Sequence, residues 1–349
     1  MSLAAIDGNG TKISYHDSGP PNGVTNYTTL VITHGLIVNG ASFERLQPHA
    51  HTYGLRIIRI NNRDYADSTR YTDAELADLA SKDTEVQAAA IRRWGTETAS
   101  FLRFVCEKLG IPPASDGAGG VVLVAEGLGN VAALAILGDE RTMGPELTAA
   151  LAPFLRTVVL YEPPMLTFGV HLDDGPKLPI ADPTLPISQA ANNFLAWIAA
   201  HYAPISTIAD ITPAGLRERD ANLTDNTTLR QLSQEEVRRM TDLDILERSG
   251  PLIMATPLEI RQRHARRALM DADAVLPGVD VLTLWCDSSV WVTLWGAKVV
   301  NGFMNEQAEP GKRKREMRLV NIPDANHLVH LEQPERVVRL LAELTAKNN

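Results

Sequence analysis

The stretch Val121-Val-Leu-Val-Ala-Glu-Gly-Leu-Gly-Asn130 decides how the rest of the chain is read. Four aliphatic residues, Val121 to Val124, run directly into a glycine-flanked turn. The helix-patterned run Asn130 to Leu137 follows at once. A strand that turns sharply into a helix, with no polar loop between, is a unit of an α/β protein.

The flanking sequence repeats the unit. Short β-branched runs predict strands at Thr11 to Tyr15, Thr29 to Thr33, Leu55 to Ile60, Arg156 to Tyr161, Val279 to Trp285 and Met317 to Val320. TLVIT at 29–33 is apolar throughout, as expected of a parallel strand covered on both faces. Helical spacing predicts helices over Glu85 to Leu109 and from about Pro334 to Ala346. From about Leu166 to Asp273 the strand signal disappears. A Pro/Gly/Asp-rich linker is followed there by helices near 187–202, 229–248 and 257–271. The expected organisation is a core over 1–165, a helical cap over 166–274 and the rest of the core over 275–349. The fold class is α/β, a mostly parallel sheet flanked by helices with the cap over one edge.

Composition narrows the function. The 349 residues are 44% hydrophobic and 21% charged, which excludes disordered, collagen-like and coiled-coil classes. With 33 Lys plus Arg against 42 Asp plus Glu, the net charge of −9 disfavours nucleic acid or an anionic membrane as a partner. The basic run Lys312-Arg-Lys-Arg315 reads as a solvated edge. Cys106 and Cys286 lie in apolar runs and read as buried thiols, too few for a disulfide framework. The first residues carry no basic region followed by an apolar one, and no run reaches the ~18 apolar residues of a membrane helix. The N-x-[ST] triplets at Asn26, Asn222 and Asn226 then read as chance matches. The expectation is a cytoplasmic protein with a small-molecule substrate and no cofactor or metal, with a homodimer left open.

Open α/β sheets place ligands at the carboxyl ends of their strands, and three signals sit there. They are Thr33-His-Gly-Leu36, the 121–130 stretch, and Asp324-Ala-Asn-His327 after the last strand. In this order, together with Arg63-Asp-Tyr-Ala-Asp-Ser68, they resemble the α/β-hydrolase superfamily. Tyr161-Glu-Pro-Pro164 and Leu284-Trp-Cys-Asp-Ser-Ser-Val-Trp291 look closest to capped fungal members, the zearalenone-lactonase-like hydrolases.

The resemblance implies a nucleophile elbow G-x-S-x-G, with an oxyanion hole built from backbone N–H groups. Aligned here, the elbow reads Ala125-Glu126-Gly127-Leu128-Gly129. Gly127 stands at the nucleophile position and supplies no side chain. Either a serine has been replaced, or the protein naturally works without one. Glu126 is a third candidate, a nucleophile displaced by one place. Against it, the residue before the nucleophile normally directs its side chain to the other side of the turn. By the same resemblance, His327 is the general base, and the N–H groups of Leu36 and Leu128 form the oxyanion hole. The acid is Glu162, preferred over Asp287, with Ser289 at the acid's usual place. His34, Glu126, Trp197 and Trp291 are candidate pocket residues.

The implied activity is hydrolysis of a small, largely apolar ester or lactone. A non-covalent lyase, cyclase or hydrolase using His327 as base is the alternative, as is a pseudo-hydrolase that binds without turnover.

Overall fold

The computed structural model describes residues 1–115, 117–182, 184–221 and 227–346. Asn222 and Asn226 lie outside the described residues. Eight strands form one sheet: β1 (Ser2–Ala5), β2 (Lys12–Asp17), β3 (Thr28–Thr33), β4 (Leu55–Asn61), β5 (Val121–Glu126), β6 (Leu155–Tyr161), β7 (Asp280–Cys286) and β8 (Met317–Ile322). Their order is β1-β2-β4-β3-β5-β6-β7-β8. The pairs β1–β2 and β2–β4 are antiparallel and all others parallel. The strand expected at Thr11 to Tyr15 is thus the second, because exposed Ser2–Ala5 adds an edge strand with little hydrophobic signal.

The period of two along each strand splits the core into two apolar clusters, one on each face. Val31, Ile58, Leu123, Ala125, Val158 and Val281 lie in one cluster. Leu30, Ile32, Ile57, Val122, Val124, Val159, Tyr161 and Leu282 lie in the other. A one-residue slip would exchange the two sets, which fixes the register.

Helix α1 (Thr84–Lys108) and helix α2 (Asn130–Gly138) cover the first face. Helix α1 starts where the Asp83 carboxylate accepts from the N–H groups of Glu85 and Val86. The C-terminal helix Pro334–Thr345 covers the second face through Val337, Val338 and Leu341.

Between β6 and β7 the described residues hold no strand, and the helices there include Ile187–Ala199, Pro213–Ala221, Gln234–Met240 and Leu258–Met270. The single helix expected over 229–248 is three short pieces. Ser233 opens a new helix with a capping box to Glu236, and Thr241 and Asp242 are extended. Pro213–Ala221 was missed because it has little amphipathic pattern.

The basic run is only partly a solvated edge. Lys312 and Arg313 pair with Asp271 and Asp273, but Arg315 is buried. Its guanidinium donates to the carbonyls of Ala268, Val275, Leu276 and Val279, tying β8's approach to the loop before β7. Cys106 and Cys286 are free and buried. No helix among the described residues is long and apolar enough to cross a membrane.

Candidate active site

The carboxyl ends of β3, β5, β6 and β7, with the turn after β8, meet at one point. At β5 the backbone passes from extended Glu126 (φ −99°, ψ 143°) into Gly127 with φ +52°. That left-handed angle is open to glycine without a Cβ penalty. The Asn130 side chain braces the turn, donating to the Gly127 carbonyl at 2.7 Å and the Tyr161 carbonyl at 3.3 Å.

Strand alternation sends Glu126 to the same face as Val122 and Val124. The turn after β8 lands on that face, with Ala325 and Val329 in its apolar cluster. The Glu126 carboxylate therefore points into the site, not to the far side of the turn as expected. Its Oε1 lies 3.0 Å from His327 Nε2, and its Oε2 accepts from the Gly35 N–H at 2.6 Å. An ideal Cβ on Gly35 would stand 2.9 Å from Glu126 Oε2, so residue 35 must be glycine for the carboxylate to dock.

The other ring nitrogen of His327, Nδ1, is 3.0 Å from Glu162 Oε2. Glu162 follows β6 with φ +50°, a strained angle for a residue with a side chain. Its Oε1 accepts from the Cys286 N–H at 2.6 Å, and Ser289 Oγ donates to its Oε2. Asp287 does not reach His327. It accepts instead from the N–H groups of Asp324 and Ala325 at 3.0 and 3.3 Å, the work of a turn carboxylate.

His327 thus lies between two carboxylates. Burial alone would lower its pKa, but Glu126 and Glu162 outweigh that and push it up to about 10. Burial would conversely raise the Glu126 carboxyl, yet its bond to His327 holds it below its ordinary value. At neutral pH the site is an imidazolium flanked by two carboxylates. The expected free-base histidine is instead an acid in the resting state. His330 and His34 are neutral: burial takes His330 down to about 3 and lowers His34. The Asn62 N–H donates to His34 Nε2 at 3.0 Å, leaving the proton on Nδ1 to face the Gly35 carbonyl at 2.9 Å. His34 is a brace under the Gly35 turn and does not line the cavity.

Above Glu126 and His327 is a cavity of about 70 Å³. Its walls are mainly apolar, with Leu36, Leu128, Phe194, Trp197, Met254 and Val292 among them, and Thr293 adds a hydroxyl. Trp291 lies elsewhere, against a second chamber. Leu36 and Leu128 border the site as expected, but the N–H that holds the carboxylate is that of Gly35.

Sequence reading also missed Arg219 of the cap helix Pro213–Ala221. Its guanidinium donates to the Ser289 carbonyl at 2.6 Å and the Asp287 carbonyl at 3.0 Å, pinning the loop that holds Glu162. Nothing local distinguishes that arginine from its neighbours Arg217 and Arg230. Among the described residues, no group of three His, Cys, Asp or Glu side chains is arranged to hold a metal ion.

A two-faced, mostly parallel sheet with a glycine turn after β5, and with a histidine and an acid at neighbouring strand ends, defines a hydrolase-type scaffold. The chain matches the alpha/beta hydrolase family over residues 30–340 and belongs to it. Its fold is similar to bromoperoxidase from Bacillus anthracis (TM-score 0.54, 14% identity, 99% of each chain covered). It is similar as well to a carboxylesterase of the Thaumarchaeon Nitrososphaera gargenis (TM-score 0.54, 13% identity, 99% of this chain and 98% of that one). A serine hydrolase from Cycloclasticus zankles is a third such structure (TM-score 0.54, 11% identity, 98% and 97% covered). At these identities the likeness is one of fold. The comparison with curated proteins yields no match.

Proposed function

We propose that this protein hydrolyses a small, largely apolar ester or lactone without an acyl-enzyme, using the Glu126 carboxylate where a serine hydroxyl would otherwise meet the histidine. The observation that carries this reading is Glu126 Oε1 at 3.0 Å from His327 Nε2, on the floor of an apolar cavity. Glu126 is the base and His327 the acid, two groups whose surroundings push their proton affinities apart.

A water oxygen attacks the acyl carbon while one of its protons passes to Glu126. The tetrahedral oxyanion faces the N–H groups at Leu36 and Leu128. His327 gives its Nε2 proton to the departing alkoxide, and Glu162 holds the ring throughout. The proton on Glu126 then returns to His327, so ester and water become acid and alcohol with the site restored. The ester–lactone class, and the lactone end of it, draws support from the resemblance of Tyr161–Pro164 and Leu284–Trp291 to fungal lactonases.

The test is hydrolysis of phenyl acetate and δ-valerolactone by the wild type and His327→Ala, with a single turnover in ¹⁸O-water. We expect turnover by the wild type, loss in the variant, and label in the product acid alone. Label in the peptide holding Glu126 would replace the water mechanism with a covalent one. An inactive wild type overturns the reading.

A further inference from the structure

The cavity over Glu126 and His327 is well below the ~300–1,000 Å³ of usual ligand sites. A second chamber of about 570 Å³ lies beside it, and Leu166 and Leu178 border both. The start of the helix Trp291–Asn305 forms part of each wall. Val290, Val292 and Thr293 border the inner cavity, and Trp291 borders the outer chamber.

The two spaces differ in chemistry. The inner one is apolar except at its floor. The outer one carries Asp173 and Asp182 of one sign and Lys177 of the other, with Asn193 and His171 beside them. Opposed charges select against neither sign and suit a neutral group rich in hydrogen-bonding atoms. Trp291 adds a flat ring, and its indole N–H is buried without a hydrogen-bond partner. A buried, unpaired donor costs about 1–3 kcal/mol, which an acceptor supplied by a ligand would recover.

We infer that the outer chamber is a binding subsite for a neutral, polyhydroxylated part of the substrate. Its compact apolar acyl part passes between Leu166 and Leu178 to reach Glu126 and His327. The substrate class is then a short-chain acyl ester of a polyol or sugar. This rests on the hydrolase reading for the reaction, but not for binding in the chamber.

The test uses two acetates, methyl 6-O-acetylglucopyranoside and ethyl acetate, with acetate release followed at constant pH. Trp291→Phe keeps the ring and removes the N–H. It should raise KM for the glucoside about tenfold and leave ethyl acetate unchanged. Leu178→Trp should block the glucoside far more than ethyl acetate. Equal effects on the two esters, or none, overturn the subsite.

Saturation-transfer NMR with methyl glucopyranoside alone reads the chamber without turnover. Signal in the wild type that weakens in Trp291→Phe supports the subsite, and no signal in the wild type overturns it. If the wild type hydrolyses neither ester yet gives that signal, the hydrolase reading fails and the subsite stands.

Discussion

Two buried places in this molecule hold a cation between two carboxylates, and they do different work. In one, Arg63 donates to Glu75 at 2.6 and 2.9 Å and to Glu97 at 2.8 Å, with its guanidinium 4.5 Å from the centre of the Tyr71 ring. In the other, His327 meets Glu126 and Glu162 at 3.0 Å each. An arginine does not release its proton, so the first cluster can only hold. There burial carries Glu97 up to about 7, while Glu75, despite its own desolvation, is held by Arg63 at about 2. An imidazolium can give its proton away, and the second cluster floors a cavity. Charge pairing in the interior is therefore no mark of catalysis. A titratable centre with a space above it is.

The comparison breaks first at Glu126. Glu126→Gln keeps the shape and removes the base, and hydrolysis should fall by about 10²–10⁴-fold, the usual worth of general base catalysis. His327 would also lose one of its carboxylates, so its pKa should drop. Initial rates and the ¹H–¹³C titration of the His327 ring read the two effects. Unchanged rates would return Glu126 to a purely structural role like that of Glu75.

At Arg63 the expected change is in stability. Arg63→Met leaves Glu75 and Glu97 without their shared cation, and breaking a buried pair typically costs about 3–5 kcal/mol. Urea unfolding should show that loss, while the rate per folded molecule stays near wild type. A tenfold fall in that rate would join the two clusters into one functional unit.

The proton on His327 sharpens the contrast further. Its folded pKa of about 10 lies above the unfolded 6.5. Its stabilising contribution is therefore complete below about pH 6.5 and is lost as pH rises towards 10. The slope in that window cannot exceed about 1.4 kcal/mol per pH unit for one proton. His327→Gln should flatten it in urea midpoints measured from pH 6 to 10. A His327 ring that titrates near 6.5 would make the resting imidazole a base again.

Much of the fold was legible because parallel strands buried on both faces leave continuous apolar runs, as at 29–33, 55–60 and 121–124. The cap was harder. Its helices are short, and their ends are set by local capping at Ser233 and Thr207, not by apolar periodicity. In the site, the histidine and the glycine turn could be read from their places at strand ends. The direction of Glu126 could have been read too, since it shares the parity of Val122 and Val124. The choice between Glu162 and Asp287 could not, because it depends on which loop the N–H groups of Cys286, Asp324 and Ala325 face after folding. Arg315 was misread for a related reason: its partners are carbonyls of distant loops, which leave no complementary charge in the sequence.

Gly127 carries the smallest expected effect and the most direct question about ancestry. An ideal Cβ there would meet only the Gly35 Cα, at 3.4 Å, so a serine fits without displacing a neighbour. The positive φ still strains any residue with a side chain, by about 1–3 kcal/mol. Gly127→Ser should lower stability by an amount in that range. It should change hydrolysis of phenyl acetate less than tenfold, because Glu126 already occupies the Nε2 of His327 that a serine would need. Thermal unfolding and rates on one preparation settle both. A large gain in rate, with an acyl-enzyme trapped at residue 127, would mean that the histidine exchanges its carboxylate for a hydroxyl readily. Glu126 would then be a stand-in for the lost serine and not its replacement.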